Sequence, residues 1–371
     1  MTEYSLDVSR QELDMLQASP RLTRNNFDLL RLLFAGAVCL VHAYELSGYP
    51  ALAALGRVLS ADAAVKAFFV VSGFLIFMSF ERSTSTASYL EKRIRRIYPA
   101  YLTVIMICAV GFAGISSRDL TDYFFSREWT EYVAANLSFL NFLQPALPGV
   151  FEGNRGAAVN GALWTLKIEV MFYLSVPLLV LLFRRLGHLR AIAGLYFLSV
   201  AYALVLAWAA ERTGRELFLE LGRQLPGQLC YFLAGAFFYY QLPLFERHAS
   251  HFVIGAAAML GLDAWWSQPF LAPFALATIV LFFALFLYAG NFGKYGDFSY
   301  GVYILHFPIL QCFLQFGWLA DTPWLFLAVT VLTTALAAVA LWHLVEKRFL
   351  LRNSHYIAVA TSTRPPELAP A

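Results

Sequence analysis

An imidazole and a guanidinium share one apolar run, LRLLFAGAVCLVHAYE, which is long enough to cross a bilayer. Charged and titratable side chains inside hydrocarbon are costly, so Arg31 and His42 are functional candidates. Their separation of eleven residues is close to three helical turns. Both side chains therefore fall on nearly one helix face, roughly 16 Å apart along the axis. A polar stripe of this kind links two depths of the membrane.

A second acid lies in LWTLKIEVMFYL. Glu169 is about 10 Å in from the outer end of its expected helix, and His42 is about 21 Å up from Asp28 in a layer of about 30 Å. The two reach similar depths. Neighbouring helices are expected to present Glu169 to His42 as a carboxylate-oriented imidazole, the arrangement a general base needs. A buried pair that only fastens two helices is the alternative. Arg31 has a local partner in Asp28, three residues earlier on the same face, and snorkelling to the headgroups is its structural reading.

Two more runs carry polar groups of interest. In YLEKRIRRIYPAYL, Arg93, Arg95 and Arg96 offer guanidinium forks that suit phosphate, although a basic run before a span also follows from the positive-inside bias. In GKYGDFSYGVYILHFPI, Ser299, Tyr300, Tyr303 and His306 recur at three- to four-residue steps and are expected to line a polar groove. Each taken singly reads as a helix–helix hydrogen bond. Lys66 awaits a carboxylate, Gly73 is expected to permit close helix packing, and Lys167 and Glu346 are structural or local to a site. His188, His248, His251 and His355 show no ligand spacing, and no metal site is expected.

Elements able to hold these residues follow from composition. Of 371 residues, 60% are hydrophobic and 14% charged, against about a quarter charged in soluble domains. The chain is therefore read as all-α and polytopic. Ten apolar runs are expected to span the membrane, at 28–48, 62–80, 98–115, 162–183, 189–209, 225–243, 252–268, 271–290, 298–317 and 323–345. With ten spans, seventeen basic residues fall on the N-terminal side and seven on the other, which puts both termini in the cytoplasm. Residues 1–27 are then a cytoplasmic tail without a cleaved signal peptide. Residues 28–350 form the membrane domain, 116–161 a long external loop, and 351–371 a disordered tail. A net charge of +3 argues against nucleic acid as a partner. Cys39, Cys108, Cys230 and Cys312 are scattered through apolar runs and read as small core residues.

Taken in order, NNFDLLRLLFAGAVCLVH (Arg, ten residues, His), FFVVSGFLI, RIRRIYPAY (Arg-x-x-Arg-Ile-x-Pro), LWTLKIEVMFYL and FSYGVYILHFPI with VEKRFL resemble the acyltransferase-3 family of bacterial integral-membrane acyltransferases. The matches run from about residue 26 to 350. The resemblance implies ten helices with cytoplasmic termini in the inner membrane. It also implies transfer of an acyl group, usually acetyl from cytoplasmic acetyl-CoA, to a hydroxyl of a cell-surface or exported carbohydrate or glycolipid. No permanently bound cofactor is implied. The signature maps onto Arg31 and His42, the basic motif onto Arg93 and Arg96, and the fourth-span motif onto Trp164 and Glu169. Arg31, Arg93 and Arg96 would meet the donor's phosphates. Trp164, Tyr300, Tyr303 and His306 would meet the acceptor. His42, oriented by Glu169, would act as base or carry the acyl group itself. The closing motif departs from the Glu-Lys-Pro-like run of many members, having Arg348 instead. A transporter or flippase for a glycolipid or small metabolite is the competing reading, since a polar helix face also serves a permeation path.

Overall fold

The computed structural model describes residues 19–265, 270–351 and 354, and their regular structure is helical, with no strand among the described residues. The long helices are α1 Phe27–Ser47, α2 Ala61–Glu81, α3 Thr86–Gly111, α4 Arg127–Leu137, α5 Trp164–Leu186, α6 His188–Thr213, α7 Leu225–Tyr240, α8 Ala249–Trp265, α9 Ala272–Phe286, α10 Ser299–Gln315 and α11 Pro323–Leu341. All of them except α4 coincide with the expected apolar runs. Six helical stretches are long and apolar enough to cross a membrane: Phe27–Ser47, Pro50–Glu81, Thr86–Ile115, Gly161–Leu186, His188–Thr213 and Pro323–Phe349. Most of the tails expected at 1–27 and 351–371 lies outside the described residues, as does the end of the run expected at 252–268.

Two boundaries differ from expectation. α3 begins at Thr86, a dozen residues before the apolar run, because LEKRIRRIY continues the helix although its charges hide it from a hydropathy scan. The long stretch expected as a loop at 116–161 holds α4, started by Ser126, whose hydroxyl accepts the Trp129 backbone N–H at 3.1 Å. Serine at that position satisfies one of the donors a helix start leaves unpaired.

The chain divides into two compact units. The first contains the described residues within Met1–Leu30, Lys66–Tyr89 and Ile168–Asn291. In lipid, apolar side chains gain nothing by leaving water, so helices associate through close backbone approach and interhelical hydrogen bonds. A Cβ on Gly73 would lie 1.9 Å from the Phe232 carbonyl oxygen, and one on Gly235 would lie 2.1 Å from that of Val70. α2 and α7 therefore touch backbone to backbone, as expected for Gly73. Phe172 stacks on Phe232 with ring centroids 4.3 Å apart. Glu81 accepts the Tyr240 hydroxyl at 2.7 Å and pairs with Arg184 at 3.3 Å. Lys66 lies over the Tyr231 ring at 5.3 Å. Asn26, just before α1, donates to the Phe283 and Leu287 carbonyls near the end of α9 and accepts from the Ala289 N–H. It thereby takes up carbonyls that a helix end leaves without a partner.

The second unit contains the described residues within Arg31–Val65, Leu90–Lys167 and Phe292–Ala371. α10 and α11 meet through Gly301, whose added Cβ would sit 2.9 Å from that of Ala338. Pro308 interrupts α10 and removes the N–H that the Ile304 carbonyl would accept. The Asn160 side chain supplies the missing donor at 2.8 Å. The segment 154–158 is tied to α10 by Gln311, a fully buried amide that donates to the Gly156 and Ala158 carbonyls at 2.6 and 2.8 Å and accepts from Asn154 at 2.9 Å.

Gly73→Ala lowers the thermal stability of the detergent-purified protein by about 1–3 kcal/mol, the usual cost of overpacking. Gly36→Ala, with nothing within 4 Å of the added Cβ, leaves stability unchanged or raises it by up to about 1 kcal/mol through helix propensity. Thermal unfolding of both variants measures the contrast.

Candidate active site

The second unit holds two polar centres. At one, Asp297 sits in the turn before α10, 2% exposed. Its Oδ2 meets Arg31 at 3.1 Å and Arg96 at 2.5 Å, while its Oδ1 accepts the Ser299 backbone N–H at 3.1 Å and the Ser299 hydroxyl at 2.5 Å. Arg96 turns its other nitrogen to Glu346 at 2.8 Å. Two guanidiniums and two carboxyl groups thus meet in one cluster, where each arginine has an acidic partner, as burial requires. Burial alone would raise the Asp297 carboxyl, but Arg31, Arg96 and the Ser299 donors outweigh it and hold the group below the ordinary carboxylate range.

Local sequence explains how these groups are aimed. Gly296 has φ +128°, a conformation L side chains rarely adopt, and a Cβ there would strike the Trp342 indole at 2.3 Å. Glycine therefore lets the turn carrying Asp297 close against Trp342. The chain after α11 forms a π-helical turn, Trp342–Glu346, an irregularity often found at functional sites. It presents both Trp342, 5.7 Å from the Arg96 guanidinium, and Glu346. Arg95 points outward to Glu91 at 2.8 Å, and Arg93 is half-buried.

The second centre is a pair of imidazoles. His42 Nδ1 lies 2.8 Å from His306 Nε2, with ring centroids 5.1 Å apart and planes 20° from parallel. His306 is fully buried, and its Nδ1 lies 3.2 Å from the Val302 carbonyl oxygen. His42 is only half-buried. Phe307 packs edge-on against His42 at 5.5 Å. Ala43, Leu52, Leu310, Phe326 and Leu327 form an apolar cluster beside the pair. α1 and α10 run in the same direction and carry the ion pair at one level and the imidazole pair about three turns further on.

Other expected residues find definite places. Tyr303 shares a hydrogen bond with Thr165 at 2.6 Å, and the Tyr300 hydroxyl donates to the Ile97 carbonyl at 3.1 Å. Every member of the Ser299, Tyr300, Tyr303 and His306 series therefore bonds to a group in this unit. Trp164 opens α5, half-buried, and the Lys167 ammonium lies over Phe142 at 4.5 Å. Glu169 belongs to the first unit, where it accepts the Tyr173 hydroxyl. The group at His42 Nδ1 is thus His306 where Glu169 was expected, and Arg31 gains Asp297 beyond the expected Asp28. Asp297, Asn160, Thr165 and Gln311 were not singled out from sequence. The acid of GDFSY at the start of a polar helix face is the one signal that marks Asp297. No group of three or more histidine, cysteine, aspartate or glutamate side chains suited to a metal ion occurs among the described residues.

The second unit thus brings together a half-buried imidazole held by a second one and, about three turns away along α1, an arginine–carboxyl cluster. The chain belongs to the acyltransferase-3 family, whose acyltransferase domain it matches over residues 24–342. It is similar to nodulation protein 10 of Rhizobium leguminosarum bv. viciae, 29% identical over 90% of this chain and 95% of that protein. It is similar also to the O-acetyl transferase of Shigella phage Sf6, 29% identical over 89% of this chain and 97% of that protein. A shorter similarity, 30% identity over 39% of this chain and 42% of its relative, joins it to the exopolysaccharide production protein ExoZ of Rhizobium meliloti. No solved structure matches the chain. The protein is thus a multi-pass membrane acyltransferase.

Asp297→Ala strips two half-buried guanidiniums of their shared, buried partner and lowers stability by about 3–5 kcal/mol, read by thermal unfolding in detergent. The folded carboxyl titrates below its unfolded value of about 3.9, so its contribution is complete above that range and is lost as pH falls through the lowered folded value. Wild type and variant therefore differ at neutral pH and converge only in strong acid.

Proposed function

We propose that this protein moves an acyl group, acetyl in the first instance, from cytoplasmic acyl-CoA to a hydroxyl of a cell-surface or exported carbohydrate. It does so as a ten-span protein of the bacterial inner membrane with both termini cytoplasmic. The observation that carries the reading is the His42–His306 pair, set in apolar surroundings along α1 from the Arg31 and Arg96 cluster. The names of the relatives, an O-acetyl transferase and an exopolysaccharide production protein, support an acetyl donor and a carbohydrate acceptor.

In this scheme Arg93, with Arg31 and Arg96, meets the phosphates of acetyl-CoA at the cytoplasmic mouth, where guanidinium forks suit them. The thioester lies along the polar face of α1 toward His42. Nε2 of His42 takes the proton of the acceptor hydroxyl, and the oxygen attacks the thioester carbonyl carbon. The C–S bond breaks, and the thiolate leaves and recovers the proton. A relay in which Nε2 first accepts the acyl group uses the same lone pair. Trp164, Tyr300 and Tyr303 line the acceptor's approach. The external stretch around 116–161 contributes to acceptor choice.

Membranes carrying the wild type transfer radiolabel from acetyl-CoA to carbohydrate, and His42→Ala reduces that transfer at least about 10²-fold while the protein still elutes as a folded species. Equal label with both proteins would overturn the assignment of His42. A green fluorescent fusion at the C-terminus glows if that terminus is cytoplasmic, and a dark but intact fusion contradicts the ten-span scheme.

A further inference from the structure

Both imidazoles are easily drawn as one diffuse polar site, but their contacts are directional. The Val302 carbonyl oxygen, 3.2 Å from His306 Nδ1, can only accept, so the nitrogen facing it carries a proton. His306 is fully buried, and beside it lie the Tyr303 and Phe307 rings and the His42 imidazole. With no carboxylate at its nitrogens, a second proton would leave a buried cation without a counter-ion. His306 is therefore neutral, and its Nε2 carries a lone pair. That lone pair faces His42 Nδ1 at 2.8 Å, so His42 Nδ1 must donate. The remaining nitrogen of His42, Nε2, is then left bare, on the ring that is only half-buried.

We infer that His306 is a positioning residue that fixes His42 in its Nδ1–H tautomer and so points the basic Nε2 lone pair at the reaction. The proton order runs from the Val302 carbonyl through His306 to His42, and it is set by one backbone oxygen that has no choice of role. An imidazole in water favours the opposite tautomer, with the proton on Nε2, and the second nitrogen's hydrogen bond decides which form persists in a protein. His306 does here what a carboxylate does elsewhere, without placing a charge in the apolar layer. When Nε2 of His42 takes the acceptor's proton, the Nδ1–H bond to His306 becomes charge-assisted and shortens, so the interaction is stronger in the transition state than before it. The catalytic consequence rests on the proposed acyl transfer at His42, whereas the tautomer itself does not.

The two parts are separable by experiment. Nitrogen-15 NMR of ring-labelled histidine in the full-length protein in bilayers, with His42 assigned by its loss in His42→Gln, shows Nδ1 protonated and Nε2 bare. His306→Leu moves the proton to Nε2 and lowers the transfer rate by about 10²–10⁴-fold, with KM for acetyl-CoA within about threefold of wild type, because ground-state donor binding is untouched. His306→Gln places an amide oxygen near the former Nε2, keeps the Nδ1–H tautomer and restores the rate to within about tenfold of wild type. A wild-type His42 protonated on Nε2, or a His306→Leu protein with the wild-type rate, overturns the inference. The Nδ1–H tautomer in a protein that transfers no acyl group would instead uphold the tautomer and sink the proposed function.

Discussion

Asp297, gripped by Arg31 and Arg96 and completed by Glu346, determines how four separate pieces of chain meet. Arg31 is on α1, Arg96 on α3, Asp297 in the turn before α10 and Glu346 in the π-helical turn after α11. A buried ion pair adds little net stability over an apolar replacement, because desolvation consumes most of the attraction. Its strength lies in the penalty for any other arrangement. A shift of one residue in any of the four segments would part a buried carboxyl group from a guanidinium that faces it. Gly296 and the π-helical turn are local departures from regular geometry that this closure requires, and Trp342, the first residue of that turn, packs against Gly296.

The same logic governs the backbone. A proline within a membrane helix frees the carbonyl four residues earlier, and hydrocarbon offers that carbonyl no solvent partner. In the second unit Pro308 frees the Ile304 carbonyl, and Asn160 binds it at 2.8 Å. In the first, Pro177 frees the Tyr173 carbonyl, and the Tyr89 hydroxyl binds it at 3.1 Å. Each proline thus creates an acceptor that only a distant donor can satisfy, and what would weaken an isolated helix fastens one element to another. Asn160 also accepts from the Ala162 N–H, so a single side chain both shapes the entry to α5 and holds α10.

How much of this was legible in the sequence depends on whether an interaction is local. The apolar runs mark the helices because length and hydropathy are properties of a segment, and the spacing of Tyr300, Tyr303 and His306 marks the polar face of α10 because helical period is local too. Partners are different. The i, i+3 rule offers Asp28 to Arg31, yet Asp297, 266 positions along the chain, meets it at 3.1 Å. Similar depth offers Glu169 to His42, but depth says nothing of which helices are neighbours, and His306 holds Nδ1. Gln311 and Asn160 read as ordinary polar residues until the proline-freed and loop carbonyls they serve are known. The early start of α3 escaped because its first turns are amphipathic, and a hydropathy scan sees only what is uniformly apolar.

Separation of the two polar centres has an electrostatic consequence for the proposed chemistry. Arg31 and His42 stand about 16 Å apart on α1, and a single unit charge at that distance contributes about 1 kcal/mol at an effective dielectric constant of about 20. One unbalanced arginine would therefore make protonation of His42 harder by about sixfold. The cluster instead sets Asp297 and Glu346 against the two guanidiniums, so part of their field at the imidazoles is cancelled. The base proposed at His42 therefore faces less positive charge than two unopposed arginines would present.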